Sequence, residues 1–399
     1  MPSSNLRNVI MVTNNALEDK VGGHERYVRE LASTLSRRGL DVTIVAKRLH
    51  ADSTPRATCD DGVTIERYAV PSKRNPVYAL AFLPYVAAGV LARVRRRVPG
   101  TVVHAHMGLQ ALPLALTQTP FLFTFHAPVW RELLSERQGT YVLPATVQAS
   151  AVRTLRAAER YVARHAATVV VLSEFMRGEL ALLDRQVAEG AAVVPGGIDT
   201  ERFSPAENGA REGADGPFSL FTARRLTPRT GVDELIRAMP PILASHPGVR
   251  LSVAGIGPME QELRRLVADL GLGHAVELLG RISDQELVDR YRRATLVVLP
   301  TRELEGFGLT TAEALACGAA VVGTPAGATP ELLAPLDPGL MTADTSAAAI
   351  ATTVDGLLSQ PDRLESIRSR ARMRVAPAMS WDRVADHYME LYERASLRP

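Results

Sequence analysis

Lysine is almost missing from this 399-residue chain. Lys20, Lys47 and Lys73 are its only ammonium side chains, and every other fixed positive charge on a side chain is an arginine. Any anion handled beyond residue 73 must therefore be met by guanidinium, backbone N–H or helix ends, and no later lysine could carry pyridoxal phosphate. Cysteine is scarce too. Cys59 and Cys317 lie far apart without CxxC spacing, which excludes a disulfide framework or a zinc ribbon and fits a reducing compartment. No apolar run is long enough to span a bilayer. The longest, "VYALAFLPYVAAGVLA" at 77–92, has 16 residues broken by Pro84 and Gly89, against roughly 20 needed. The first residues, "MPSSNLRNVIMVTNNA", lack a charged segment followed by a long apolar one, so "NVIMVT" reads as a first strand rather than a signal peptide. A cytoplasmic protein is expected. The net charge of +3 and pI near 9.0 are mildly basic. The arginines are scattered over helix faces without interleaved aromatics, so no nucleic-acid partner is expected.

What is present is an alternation of short β-branched strands and amphipathic helices. "NVIMVT", "DVTIVAK", "TVVHAH", "FLFTFHA" and "ATVVVLS" read as strands with helical segments between them. The pattern restarts after 218 with "FSLFTAR", "VRLSVAG", "AVELLG", "TLVVLP" and "AAVVGT". Repeated βα units imply parallel sheets covered by helices on both faces, and the length favours two domains. Residues 1–193 form the first, the Gly-, Pro- and charge-rich 194–218 a linker, and 219–379 the second. The amphipathic tail, "SWDRVADHYMELYERA", places Val384, Tyr388, Leu391 and Tyr392 on one face and is expected to pack back on the first domain. The apolar run at 77–92 followed by "RVRRRV" is either a buried helix with a basic end or a surface that touches anionic lipid at the inner membrane face.

Ligands in open α/β sheets bind beyond the carboxyl ends of the strands, so the loops there are the candidates. "VGGHER" puts Gly22 and Gly23 before a helix, either as a tight turn or as an open approach to helix N–H groups. "FTFHAP" puts His126 at a strand end, where a lone histidine is either a structural ring or a site residue. "ARRLTPRTGVDE" gathers Arg224, Arg225 and Arg229 at a strand-to-helix turn, a solvated basic turn or a diphosphate clamp. "AGIGPMEQEL" opens a turn with Gly255. In "ELEGFGLTTAEALACG", Thr310 and Glu313 have the T-x-x-E spacing of a capping box. That accounts for Glu313 but not for Glu305, nor for Gly306 and Gly308 flanking Phe307. Two glycines before a helix start favour an anion there and leave Glu305 to accept from hydroxyls.

"EGFGLTTAE" resembles the E-x7-E motif of retaining GT-B glycosyltransferases. "GGHERYVRELASTLSRRGLDVTIV", "TFHA", "VVVLSEFMR", "VVPGGIDTERFSP", "VAGIGPMEQEL" and the final "SWDRVADHYMELY" follow that family's order along nearly the whole chain. The resemblance implies an α/β GT-B fold of two Rossmann-like domains facing across a cleft. It implies a nucleotide-sugar donor, most often a UDP-sugar, a hydroxyl acceptor, and no cofactor or divalent metal. Glu305 would contact hydroxyls of the transferred sugar, with the backbone of Gly306, Phe307, Gly308 and Leu309 along sugar and diphosphate. The helix from Thr310 would point at the phosphates, Glu313 would hold the ribose, and Gly280, Arg281 and Ile282 would take the base. Gly22 and Gly23 would approach the donor from the first domain, and His126 would lie near the reacting carbon.

One departure stands out. Family members carry an arginine and, five residues later, a lysine on the diphosphate. Five past Arg225 is Thr230. Either Arg229 substitutes, or Arg224 and Arg229 keep the five-residue spacing. A sugar-nucleotide epimerase of the same fold and a non-catalytic nucleotide-sugar-binding pseudo-transferase are the alternatives. The absent lysine favours the latter, and the retained Glu305, Glu313, His126 and glycine pair oppose it.

Overall fold

The structure is a computed structural model and describes residues 6–19, 22–49, 53–71, 78–131, 145–206 and 218–396. The chain divides into two compact units, Met1–Gly197 with Trp381–Pro399, and Ile198–Ser380.

In the first unit the chain runs β1 (Asn8–Val12), α1 (Gly23–Arg37), β2 (Asp41–Lys47), β3 (Arg56–Thr58), β4 (Thr64–Tyr68), α2 (Tyr78–Val94), β5 (Thr101–Ala105) and α3 (Gly108–Leu116). It continues through β6 (Leu122–Phe125), α4 (Ala145–His165), β7 (Thr168–Val171), α5 (Glu174–Ala181), α6 (Arg185–Glu189) and β8 (Ala192–Val193). The sheet order is β3-β4-β2-β1-β5-β6-β7-β8, parallel except for β3 against β4. β1 and β5 are neighbours, with β2 and β4 laid to one side and β6 to β8 to the other, so the strand order reverses between β1 and β5. The sheet interior is mostly apolar, as a strand covered on both faces requires, with His104 and Thr124 as buried polar exceptions. Val12, Val45, Val103, Phe123 and Val171 share one core with Leu114 and Val162 of the helices. α1 buries Tyr27, Val28, Leu31, Ala32 and Leu35, the 3.6-residue stripe that makes it helical.

The second unit holds β9 (Ser219–Ala223), a 3₁₀ turn at Pro228–Thr230, α7 (Val232–Ser245), β10 (Arg250–Ala254), α8 (Glu260–Asp269), β11 (Val276–Gly280) and α9 (Asp284–Arg293). β12 (Leu296–Leu299), α10 (Leu309–Ala316), β13 (Val321–Gly323), α11 (Thr329–Leu333), α12 (Ala347–Leu358) and α13 (Pro361–Met379) follow. Its strands pair in the order β11-β10-β9-β12-β13, all parallel. The reversal falls between β9 and β12. Ser283 is the N-cap of α9, its hydroxyl accepting from Glu286 N.

The last helix, α14 (Trp381–Ser396), lies in the first unit against α1 and β5. Val384, Tyr388 and Tyr392 are fully buried there, whereas Leu391 is only half-buried. Two further readings change. The start of the segment read as a linker is packed structure: Ile198 and Phe203 are buried, Phe203 against Tyr291. Residues 207–217 lie outside the described residues. From Tyr78 the apolar run forms a helix straight through Pro84 and Gly89, but it is not wholly buried, since Leu83 and Tyr85 are exposed.

Candidate functional site

The carboxyl ends of β9 and β12 are adjacent in the second sheet, and the residues leaving them meet. Arg224 Nη2 donates to Glu305 Oε2 at 2.6 Å and to Thr301 Oγ1 at 2.9 Å. Glu305 Oε1 accepts from Gly308 N at 3.2 Å. The pair is largely removed from water, at 7% exposure for the Arg224 side chain and 16% for Glu305. Burial alone would raise the Glu305 carboxyl. The charge and hydrogen bond of Arg224, with the Arg229 charge and the Gly308 N–H, outweigh that and hold it below the usual carboxylate range. Glu305 is therefore an anion with spare acceptor capacity: a carboxylate offers roughly four lone-pair directions, and Arg224 and Gly308 use one each.

Arg229 joins the same cluster. Its Nη1 donates to the Leu304 carbonyl at 3.3 Å. Leu304 has φ +57°, a left-handed conformation that costs a non-glycine residue roughly 1–3 kcal/mol. The strain sits one residue before Glu305 and is clamped from two sides. Arg302 ties the Arg229 turn to the β12 exit, donating to Pro228 O, Asp233 Oδ2 and Glu234 Oε1 at 2.9, 2.6 and 2.9 Å. On the other side Ala328 N donates to Glu305 O at 2.8 Å. Gly327, at φ +63°, passes so close that a Cβ would lie 2.2 Å from that oxygen.

α10 starts at Leu309 with Gly308 as its N-cap, at φ +83° and without a side-chain capping bond. The capping box read at Thr310 and Glu313 is thus not formed: Thr310 is already inside the helix, because Gly308 occupies the cap. With the cap at Gly308, Glu313 lies past the position from which a capping box reaches back, and its side chain is buried at 5% exposure. Thr311 Oγ1 and Arg224 Nε are buried without a hydrogen-bond partner among the described residues. Phe307 is buried beneath this loop, and Gly306 and Leu309 are half-buried.

The other donor-side candidates separate. Thr230 is 2% exposed and its hydroxyl donates back into its own turn, to Arg225 O and Thr227 O at 2.8 and 2.7 Å. Its side chain is therefore committed to the turn, and Arg225 is exposed. Gly255 serves loop packing, since a Cβ there would lie 1.8 Å from Arg224 O. Gly280, Arg281 and Ile282 leave β11 half-buried or exposed, with open space around Gly280.

The first unit presents a different surface. Gly22 is the extended N-cap of α1 and approaches the Glu25 carboxylate, which a Cβ would meet at 2.4 Å, while Gly23 is unobstructed. His126 follows β6 and is not alone. His24 meets its ring edge-on at 4.5 Å between centroids and Tyr27 at 4.9 Å, and His106 Nδ1 is 3.1 Å from His126 Nε2. His24 Nε2 is held by Thr13 Oγ1 at 2.8 Å. Behind these rings, His104 bonds Tyr392 OH and Thr124 Oγ1, both at 2.7 Å. Thr124 continues to Tyr388 at 2.9 Å and Tyr388 to Tyr27 at 2.8 Å. Burial pushes the His104 imidazole down to about 3. Burial, then the neighbouring histidines, push His106 and His126 well below their ordinary range, so all three are neutral. Among the described residues, no group of three or more His, Cys, Asp or Glu is arranged to hold a metal ion. Sequence reading missed His24, His104, His106 and Tyr27. The H-A-H pattern leaving β5 was the one local sign of them.

Two Rossmann-like units with their charged and polar residues at the switch points define a GT-B protein. Residues 206–374 match the family Glycosyl transferases group 1, and residues 21–202 match Glycosyltransferase Family 4. The chain is 28% identical to a D-inositol 3-phosphate glycosyltransferase of Acidothermus cellulolyticus, over 94% of this chain and 86% of the relative. It is 27% identical to a glycogen synthase of Mycobacterium tuberculosis, over 93% and 91%. Sucrose-phosphate synthase from Thermosynechococcus elongatus has the same fold, with a TM-score of 0.80 at 22% identity over 97% and 98% of the two chains. So does the Anabaena protein HepE, solved with UDP and glucose, with a TM-score of 0.76 at 18% identity over 97% and 100%. The chain is a GT-B glycosyltransferase related to the group 1 and family 4 enzymes, acting at that level on a nucleotide-sugar donor and a hydroxyl acceptor.

Proposed function

We propose that the protein is a retaining, metal-independent hexosyltransferase that uses a UDP-sugar. The observation that carries this reading is the Arg224–Glu305 pair, with Arg229 beside it, next to the start of α10, which no side chain caps. Arg224 and Arg229, five residues apart, take the diphosphate with the α10 N–H groups, replacing the family's arginine–lysine pair. Glu305 accepts from hydroxyls of the transferred sugar and Glu313 from the ribose. Gly280, Arg281 and Ile282 meet the base. Gly22, Gly23 and His126 serve the reacting end of the donor and the acceptor. In the reaction the bond from the anomeric carbon to the diphosphate oxygen breaks. The acceptor oxygen bonds that carbon on the same face, and the acceptor's proton passes to the departing phosphate oxygen. Guanidinium and helix N-terminus stabilise the leaving charge where it develops.

Thermal-shift and hydrolysis screens across UDP-, GDP-, ADP- and TDP-sugars test the donor. A chain that binds none of them is not a transferase of this kind. The acceptor is a saccharide, a natural product or a lipid-linked glycan. The exposed Leu83 and Tyr85 of α2 and the exposed Arg95, Arg96 and Arg97 after it favour peripheral contact with an anionic membrane. No helix among the described residues is long and apolar enough to cross one. Co-sedimentation with phosphatidylglycerol vesicles should be lost in Leu83→Ser/Tyr85→Ser. Equal binding by the double variant would remove the membrane from this reading.

A further inference from the structure

We propose that His106 is a positioning residue that fixes the tautomer of His126, so that His126 carries its hydrogen on Nδ1. The inference builds on the reading of His126 as a residue at the reacting end of the donor.

One buried ring nitrogen of His106 has no hydrogen-bond partner among the described residues. His106 follows β5 directly, and its backbone N donates to Val12 O at 2.9 Å. Its ring is 1% exposed and lies on the His104 ring at 3.9 Å between centroids. Nδ1 faces His126 Nε2 at 3.1 Å, while Nε2 is buried with no hydrogen-bond partner among the described residues. Both rings are neutral, so each holds one N–H, and a single hydrogen lies between the two facing nitrogens. Two arrangements satisfy that contact. If His126 Nε2–H donates, His106 Nδ1 is the acceptor and His106 must carry its own hydrogen on Nε2. That would be a buried N–H with nothing to accept it. If His106 Nδ1–H donates, Nε2 is left as a bare lone pair. A buried donor without an acceptor is the rarer and costlier defect, so the second arrangement is favoured. His126 Nε2 is then the acceptor, and its hydrogen must be on Nδ1.

His24 and Tyr27 meet the ring edge-on and set its plane, while the contact with His106 Nδ1 engages its Nε2. The consequence is chemical. With its hydrogen on Nδ1 the second nitrogen of His126 is a hydrogen-bond donor, whereas the other tautomer would make it an acceptor.

Long-range ¹H–¹⁵N spectra of the full chain labelled at histidine read the tautomer directly, with His126→Asn assigning the His126 signals. Wild type should show His126 protonated at Nδ1 and bare at Nε2. His106→Leu should move His126 towards the Nε2–H form and lower UDP-glucose hydrolysis about tenfold in kcat with little change in KM. His106→Asn, which keeps a donor near the lost nitrogen, should retain the Nδ1–H form and most of the turnover. An Nε2–H His126 in wild type would overturn the proposal. So would an unchanged tautomer in His106→Leu. The wild-type spectrum decides the matter even if a variant fails to fold. If the tautomer is as stated but His126→Asn turns over normally, the reading of His126 fails while its pairing with His106 stands.

Discussion

The strand ends at the switch point of the second unit deliver charge, and those of the first deliver neutral rings. Arg224, Arg229 and Glu305 form an ionic cluster whose carboxylate is held below its usual range. Tyr27 meets His106 and His126 edge-on, and burial keeps His104, His106 and His126 neutral. The same topology thus supports two electrostatic regimes. A fixed ionic pair suits a ligand that is itself charged, because guanidinium and carboxylate are pre-aimed at phosphate and hydroxyl. Neutral donors and acceptors suit uncharged hydroxyls, where a buried charge would cost more than it returns.

The comparison breaks most visibly at Glu305. Glu305→Gln removes the anion while keeping size, and it leaves Arg224 facing an amide. Sugar transfer should fall more than tenfold, with a folded chain by circular dichroism. Turnover equal to wild type would remove Glu305 from the sugar site.

Arg229 gives a smaller effect. Among the described residues its guanidinium donates to the Leu304 carbonyl and reaches Glu305 only through its charge, which leaves N–H groups for a diphosphate. Losing one charged hydrogen bond costs roughly 1.5–3 kcal/mol, so Arg229→Ala should weaken UDP about tenfold or more by calorimetry. Thr230→Lys should not rescue that variant, because position 230 is buried in its own turn. Wild-type affinity in Arg229→Ala, or rescue by Thr230→Lys, would show that the phosphate cation lies elsewhere.

These contrasts were unevenly legible in the sequence. Glu305-Gly-Phe-Gly, the Arg224 to Arg229 turn and the alternation of strands and helices are local patterns and could be read directly. The Arg224–Glu305 bond joins residues 81 positions apart, and the links from His104 to Tyr392 and Thr124 to Tyr388 span 288 and 264. Only the strand order brings such residues together. The tail helix could be read as amphipathic, but nothing local says that its tyrosine hydroxyls end on a histidine and a threonine. The short strands β3 and β4 also escaped notice, having few apolar residues to mark a period. The T-x-x-E reading at Thr310 failed for a simple cause: Gly308 takes the cap in a left-handed conformation two residues earlier.

The finest test of the comparison is acid stability. A histidine neutral in the fold but with an ordinary pKa near 6.5 when unfolded makes the unfolded chain bind more protons as pH falls. Stability is then full above about 6.5 and declines below it, by about 1.4 kcal/mol per pH unit for each such group, until the folded pKa is reached. For His104 that lower limit is about 3. Glu305 behaves differently. Its folded pKa is depressed, so its contribution is complete above the ordinary carboxylate range and fades only as pH falls through that range and below. The first unit should therefore begin to lose stability at a higher pH than the Glu305 cluster does. Both tryptophans, Trp130 and Trp381, belong to the first unit, so their fluorescence reports its urea unfolding. The midpoint should drop steadily from pH 6.5 to 4.5. In His104→Gln the protein should be less stable at pH 7.5 but show a shallower slope, since one proton uptake is gone. A flat wild-type profile over that interval would mean that the buried rings are already charged, and the neutral character assigned to the first unit would fall with it.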